Sequence, residues 1–219
     1  MKIYFVRHGK TEWNLQHRFQ GGQGNSELLK ESYADCKSLG EYLKGTHFNA
    51  IYSSPLKRAF VTAQKIEEAM NSRLPIHVDE RLREMNLGKM EGMSYADAEK
   101  KYPEQVANFW DHPDLYDPTV IGGESYPHAM ARGLDFGRDM IKKYPEDDDK
   151  ILVVSHGAVL SAIMGALLGY DTAHVRQNGV IYNTSLTILK SKSDGQYFNL
   201  ECWSDTKPLH HKLPETDGL

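Results

Sequence analysis

Two short apolar runs at opposite ends of the chain finish in the same way. Ile3-Tyr4-Phe5-Val6 runs into Arg7-His8-Gly9, and Ile151-Leu152-Val153-Val154 runs into Ser155-His156-Gly157. A strand that is apolar at consecutive positions, not only at alternate ones, is covered on both faces, as central parallel strands of α/β sheets are. Such strands demand helices above and below them, which constrains the fold more than any other feature here. Ligands of open α/β sheets bind at the carboxyl ends of the strands. Each run carries its histidine and glycine at that end. If the two strands are parallel neighbours, His8 and His156 meet in one pocket.

The rest of the chain supplies the other layers. Strands are expected over 2–6, 50–53, 76–78, 150–154, 183–190 and 197–203, with a hairpin loop at 191–196 built on Asp194-Gly195. Helical spacing of apolar residues predicts helices over 28–43, 56–70, 126–144 and 158–168, closed by Gly45, Pro145 and Gly169 at three of their ends. Strands alternating with helices give an α/β fold: a three-layer α/β/α sandwich with a mostly parallel central sheet and helices on both faces. The stretch 84–124 fits no sheet element and reads as helical over 95–101 and 104–110. Its bulk, about 88–124, is expected to be an insertion over the active site, a position that sets substrate choice. One domain is expected over 1–205, followed by a polar carboxyl-terminal tail over 206–219. His210-His211 reads as part of a mobile tail, not as a metal site.

Composition narrows the function classes. The chain has 219 residues, 40% of them hydrophobic, enough for a sizeable core. A formal net charge of −4 argues against a general nucleic-acid binder but permits a local basic pocket. Cys36 and Cys202 form no Cys-x-x-Cys pair, so they read as reduced thiols of a cytoplasmic protein. The apolar run after Lys2 is too short for a secretory signal, and nothing approaches the ~20 apolar residues of a membrane span. No nucleic-acid partner and no membrane partner is expected; monomer and homo-oligomer stay open.

Five ordered segments then carry a resemblance. They are Val6-Arg7-His8-Gly9 with Thr11 and Asn14; Gln20-Gly21; Ser53-Ser54-Pro55-Leu56 with Arg58 and Ala59; Leu82-Arg83-Glu84 with Gly88 and Glu91-Gly92; and Ser155-His156-Gly157. Together they resemble the histidine phosphatase superfamily, the phosphoglycerate-mutase-like enzymes, over residues 3 to about 190. The resemblance implies catalysis by His8, His156, Glu84, Arg7 and Arg58. It implies phosphate or substrate binding by these residues together with Asn14, Gln20, Gly21 and Gly157.

The residue types suit that chemistry. A phosphoryl group carries about two negative charges. Arginine stays charged and offers a fixed fork of donors, so Arg7 and Arg58 suit a clamp on its oxygens. A neutral His8 imidazole can attack phosphorus and form a phosphohistidine. His156, if protonated, and the helix starting near Gly157 would add positive potential where the transition state gathers charge. Glu84 is the expected general acid for the leaving oxygen and then the base for water, which requires a raised pKa. No metal and no cofactor is expected, apart from a bisphosphoglycerate primer if the enzyme is a mutase.

Departures from the family pattern are local. Lys10 stands where the family usually has glutamate or glutamine, and the loop 21–31 lacks the family's proline and glycine. Gly122-Gly123-Glu124-Ser125 resembles a turn many members carry before the long helix, with Ser125 or Glu124 as a helix cap. The mutase branch typically follows its glutamate with Arg-x-Tyr-Gly, whereas Glu84 is followed by Met85-Asn86-Leu87-Gly88 and then Glu91-Gly92. This favours a metal-independent phosphatase over a cofactor-dependent phosphoglycerate mutase. A catalytically inactive phosphate-binding module is disfavoured because His8, Arg58, Glu84 and His156 are all present.

Overall fold

The computed structural model describes residues 1–192 and 197–211. Strands β1 (Lys2–Arg7), β2 (Ala50–Ser53), β3 (Ile76–Val78), β4 (Lys150–Ser155), β5 (Leu186–Ser191) and β6 (Phe198–Asp205) form one sheet in the order β3-β2-β4-β1-β5-β6. The first four run parallel, while β5 and β6 are antiparallel additions at the β1 edge. The helices are α1 (Glu12–Leu15), α2 (Lys30–Leu43), α3 (Lys57–Met70), α4 (Tyr95–Lys101), α5 (Pro103–Asp111), α6 (Tyr126–Lys143) and α7 (Gly157–Leu168).

The two apolar runs are the central pair, and alternate residues of each face opposite layers. Ile3, Phe5, Ile151 and Val153 point into a core with Phe136 and Met140 of α6 and with α7. Val6, Leu152 and Val154 point into a second core with Leu39 of α2 and Ala63 and Ile66 of α3. This is the expected three-layer sandwich. Each such side chain contributes roughly 1.5–3 kcal/mol on full burial, which is why both faces of these strands are apolar.

Helix α7 is buried at every residue except Leu168, so it is apolar all round. Gly133 and Gly137, one turn apart on α6, let the two helices close up. A Cβ at 133 would lie 2.7 Å from Cγ1 of Ile163 and 2.9 Å from its Cα. Between β3 and α6 the chain makes its excursion through α4 and α5. The Tyr126 hydroxyl of α6 donates to the Phe109 carbonyl at 2.9 Å and anchors that excursion to the body.

Two expectations need correction. The strand expected from residue 183 starts at Leu186, because residues 183–185 turn away to serve the end of β1. Thr184 N–H donates to the Arg7 carbonyl at 2.9 Å, with Thr184 at φ +57°. The polar tail does not begin at 206. Residues Lys207–Leu209 form a 3-10 turn with Pro208 and Leu209 buried, and His211 Nε2 lies 2.7 Å from Asp35 Oδ1 on α2. The short helix α1 was not foreseen; Thr11 caps it by accepting from Asn14 N–H. Residues 193–196 of the expected hairpin loop, and 212–219 of the expected tail, lie outside the described residues. Cys36 and Cys202 are free thiols, and among the described residues no helix is long and apolar enough to cross a membrane.

Gly133→Val should lower stability by about 1–3 kcal/mol through overpacking against Ile163. Urea unfolding would show this as a reduced midpoint with an unchanged slope. An unchanged midpoint would mean that α6 and α7 are not held at this spacing.

Candidate active site

The parallel register of β1 and β4 sets Arg7 opposite Ser155, so the next residues, His8 and His156, leave the sheet side by side. Their ring centroids are 5.1 Å apart. His8 N–H still donates to the Ser155 carbonyl at 2.9 Å, and Asn183 Nδ2 donates to the His8 carbonyl at 2.8 Å. Gly9 is needed because a Cβ there would lie 2.9 Å from Ser32 Cβ. Its N–H donates to Thr62 Oγ1 at 3.0 Å.

The His8 ring is held in one tautomer. Nδ1 lies 2.8 Å from the Gly9 carbonyl, which can only accept, so Nδ1 carries the proton. Nε2 is left with its lone pair, 3.3 Å from the Arg58 Nε–H. Burial, and then the charges of Arg58 and Arg7, hold this imidazole well below its ordinary pKa. His8 is therefore neutral at neutral pH and can act as a nucleophile.

His156 does not fit the protonated role expected for it. Burial, and then Arg58, His8 and Arg7, push its pKa well below the ordinary value. Its Nε2 lies 2.7 Å from Ser54 Oγ, and its Nδ1 is buried with no hydrogen bond among the described residues. When the Ser54 hydroxyl donates to Nε2, the proton sits on Nδ1, which can then donate to an anion as a neutral group.

Glu84 reaches its place through Ser155, whose hydroxyl donates to the Leu82 carbonyl at 2.6 Å and ties this segment to the end of β4. The carboxylate sits on the amino terminus of α7. Oε1 accepts from Met85 N–H at 2.8 Å and Val159 N–H at 2.7 Å; Oε2 accepts from Ala158 N–H at 3.1 Å. The N–H groups expected to face a phosphate thus serve Glu84 instead, and Gly157 is the first residue of that helix. Burial pushes the Glu84 carboxyl above the usual carboxylate range, against the opposing pull of those N–H groups and of Arg58. Burial dominates because the side chain is almost wholly withdrawn from water.

Arg7 is buried, and its Nη1 donates to the Ile181 carbonyl at 2.7 Å. Arg58 is also buried, which draws its pKa down to about 10 and leaves it charged at neutral pH. Its Nη1 donates to Gly24 O at 2.7 Å and its Nη2 to Gly21 O at 3.0 Å and Gln20 O at 3.3 Å. Much of the guanidinium therefore holds the loop 20–24. Gln20 is used in the same way: Nε2 donates to Ser26 Oγ at 3.0 Å and Oε1 accepts from Thr11 Oγ1 at 2.8 Å. Asn14 Oδ1 accepts from Thr11 N–H at 3.1 Å, while the Asn14 side chain lines the His8 pocket.

Glu91 has a place that its motif alone did not reveal. Its carboxylate accepts from four backbone N–H groups: Gly21 at 2.9 Å, Gly24 at 3.0 Å, Gln23 at 3.2 Å and Leu87 at 3.3 Å. Arg58 holds the carbonyls of this loop and Glu91 holds its N–H groups. Asn183 and Ser54 were likewise not assigned to the site from sequence. Asn183 was hidden inside an expected strand, and Ser54 was visible only as part of a motif.

The pocket at His8 is narrow, about 20 Å³, and includes Asn14, Gln20, Glu84 and Ala158. Its other wall is Arg18, Phe19, Leu87, Tyr95, Phe109 and Trp110, so side chains from the excursion do lie against the site. A larger cleft, about 740 Å³, borders Glu84 together with Arg83, Glu124 and Arg132, but His8 does not line it. Arg132 is bidentate on Glu124 there, at 2.7 and 2.9 Å. His8 lines the narrower pocket, and Glu84 borders both.

The profile of the histidine phosphatase superfamily (branch 1) matches residues 3–206. The chain belongs to this superfamily. Phosphoserine phosphatase 1 of Hydrogenobacter thermophilus is 33% identical over 171 residues, 78% of each chain. A 2,3-bisphosphoglycerate-dependent phosphoglycerate mutase of Brucella melitensis is 32% identical over 190 residues, 85% of this chain and 90% of that one. The structure of Bacillus stearothermophilus YhfR superimposes with a TM-score of 0.86 at 30% identity, covering 95% of this chain and 98% of that one. The protein is thus an enzyme of a superfamily that holds phosphatases and mutases, on a fold shared with its solved neighbours.

Removing the Glu91 carboxylate frees both the loop and its grip on Arg58. Glu91→Ala should lower the enzyme's kcat/KM by about 10- to 100-fold, since displacing a positioned group by about 1 Å costs on that order. Steady-state kinetics on variant protein with an unchanged circular dichroism spectrum checks this, and Glu91→Gln should recover part of the loss.

Proposed function

We propose that this enzyme is a phosphomonoesterase that works through a phosphohistidine on His8, acts on a small phosphorylated metabolite and needs no metal. The observation that carries the reading is the His8 ring: neutral, proton on Nδ1, Nε2 lone pair beside the Arg58 guanidinium. Nε2 attacks phosphorus, the ester P–O bond breaks, and the protonated Glu84 carboxyl gives its proton to the leaving alkoxide. Glu84, now ionised, takes a proton from water as that water attacks the phosphohistidine. Phosphate leaves and His8 returns to its neutral state. Arg7, Arg58, the Asn14 amide and the His156 Nδ1–H meet the charge on the phosphoryl oxygens. The free thiols Cys36 and Cys202 fit a reducing cytoplasm.

Relatives of both kinds stand at nearly equal identity, so similarity alone leaves a mutase open. The pocket wall favours hydrolysis. A bisphosphorylated three-carbon acid carries about five negative charges at neutral pH, counting about two per phosphate. Beyond the residues assigned to phosphate, this wall offers one cation, Arg18, among Phe19, Leu87, Tyr95, Phe109 and Trp110.

Phosphate release and interconversion of 3- and 2-phosphoglycerate, measured side by side, test the choice. Hydrolysis that disappears in His8→Ala, with an acid-labile, alkali-stable protein phosphate during turnover, is expected. Rapid isomerisation dependent on a bisphosphate primer would make the enzyme a mutase.

The pH profile follows from the two perturbed groups. His8 must be neutral to attack, and its lowered pKa moves the acid limb of kcat/KM below 6.5. Glu84 must be protonated to donate, and its raised pKa moves the alkaline limb above 4.5. A bell with its maximum on the acid side of neutrality is expected from initial rates at controlled ionic strength. Glu84→Gln should cost about 10²- to 10⁴-fold on alkyl esters, the usual worth of a positioned acid.

A further inference from the structure

Ser54 is the first residue past β2, as His156 is the first past β4, and the parallel pairing of the two strands carries on to it. Its N–H donates to the Val154 carbonyl at 3.0 Å. Both side chains are fully buried, and the Ser54 hydroxyl lies 2.7 Å from Nε2 of the His156 ring. The direction of that bond follows from where the hydrogens can go. A hydroxyl has one hydrogen and two lone pairs. One lone pair of Ser54 Oγ accepts from the Leu56 N–H at 3.3 Å, at the residue that precedes α3. Among the described residues, the acceptor for the remaining hydrogen is Nε2 of His156.

Reversing the bond would put the proton on Nε2, leave the Ser54 hydrogen without an acceptor and turn the buried Nδ1 into a lone pair. Nε2 is taken and Nδ1 has no partner among the described residues, so Nδ1 is the ring nitrogen left for a phosphoryl group on the neighbouring His8. A lone pair there would repel the phosphoryl oxygens, whereas an N–H bonds to them. His8 follows the same logic with other parts, since the Gly9 carbonyl keeps its proton on Nδ1 and frees Nε2 for attack. The two rings carry the same tautomer for opposite purposes: His8 presents its lone pair and His156 its hydrogen. Resting on the reading above that a phosphoryl group is bound at His8, we infer that Ser54 is a positioning residue, whose hydroxyl locks His156 as the Nδ1–H tautomer and makes it a fixed, uncharged hydrogen-bond donor to the phosphoryl oxygens. His156 then neither gains nor loses a proton in the cycle, and the proton that moves is carried by Glu84. The Leu56 N–H that orients Ser54 lies at the start of the helix that carries Arg58, so one segment positions a neutral and a charged donor for the same group.

Nitrogen-15 NMR reads the tautomer without any assay of activity. A protonated and a bare imidazole nitrogen resonate far apart, and the spectrum of His156→Asn identifies the His156 signals among the chain's 10 histidines. In the ligand-free wild-type enzyme at neutral pH, a protonated Nδ1 and a bare Nε2 are expected. Orthovanadate should shift the Nδ1–H signal without moving the proton to Nε2. In Ser54→Ala a mixture of tautomers is expected, with kcat/KM and orthovanadate affinity lowered about three- to tenfold, the usual worth of one neutral hydrogen bond. Ser54→Thr, which keeps the hydroxyl, should restore the single tautomer. A residue that only packed against α3 would change stability and leave the tautomer alone. The wild-type spectrum needs no change at Ser54, so a misfolded Ser54→Ala protein does not block the test. An Nε2–H ring or an imidazolium in the ligand-free wild type overturns this inference and leaves the phosphatase reading standing, as does a folded Ser54→Ala protein with an unchanged tautomer. Absence of His8-dependent hydrolysis and of an acid-labile phosphoenzyme, with the tautomer as expected, overturns the phosphatase reading and leaves the lock on the ring standing.

Discussion

The parallel pairing of β1 with β4 is the interaction on which the site depends. Its register places Arg7 against Ser155, and the residues that follow bring two imidazoles from opposite ends of the chain to 5.1 Å. A slip of one residue would turn every side chain of one strand to the other face. Ile3 and Phe5 would then point toward α2 and α3, and Val6 toward α7. Two cores with different partners thus enforce the register that also aligns His8 with His156. Ser155 extends the same device sideways, since its hydroxyl holds the Leu82 carbonyl and so places Glu84 on the end of α7.

Around that pair, burial does most of the electrostatic work. Two guanidinium groups are withdrawn from water, and backbone carbonyls accept from both. Their charge and the loss of solvent keep both imidazoles neutral, while the same loss of solvent raises Glu84. A protonated imidazole has no lone pair to offer and an ionised carboxyl has no proton to give, and the buried site opposes both states. The cost of burying Arg58 is offset by giving it a structural task. It holds one side of the loop 20–24 while Glu91 holds the other, so the loop's polar backbone is satisfied with little help from water.

Much of this was legible in the chain. Continuous apolar runs at 3–6 and 151–154 announced central strands, and helical spacing placed α2, α3, α6 and α7 to within two residues. The ordered motifs named His8, Arg58, Glu84 and His156 because their residue types are dictated by phosphoryl chemistry. Residues whose task is to hold others were harder to see. Asn183 lies in what reads as a strand, yet the chain leaves the sheet there to bond the His8 and Arg7 backbone. Pro208 and Leu209 read as a polar tail, but two apolar side chains found cover, which a hydropathy window over their charged neighbours does not show.

Sequence by itself determined the layers, the order of helices and strands, and the chemical kinds of group available to a phosphate, because periodicity and residue type are local properties. Only the tertiary structure decided protonation and allegiance. His156 is neutral because of what surrounds it, and the first N–H groups of α7 serve Glu84. Gln20 and Glu91 hold a loop, and aromatic rings from two separate segments close on His8. Those properties arise from distances between residues far apart in the chain, and a single sequence records no such distance.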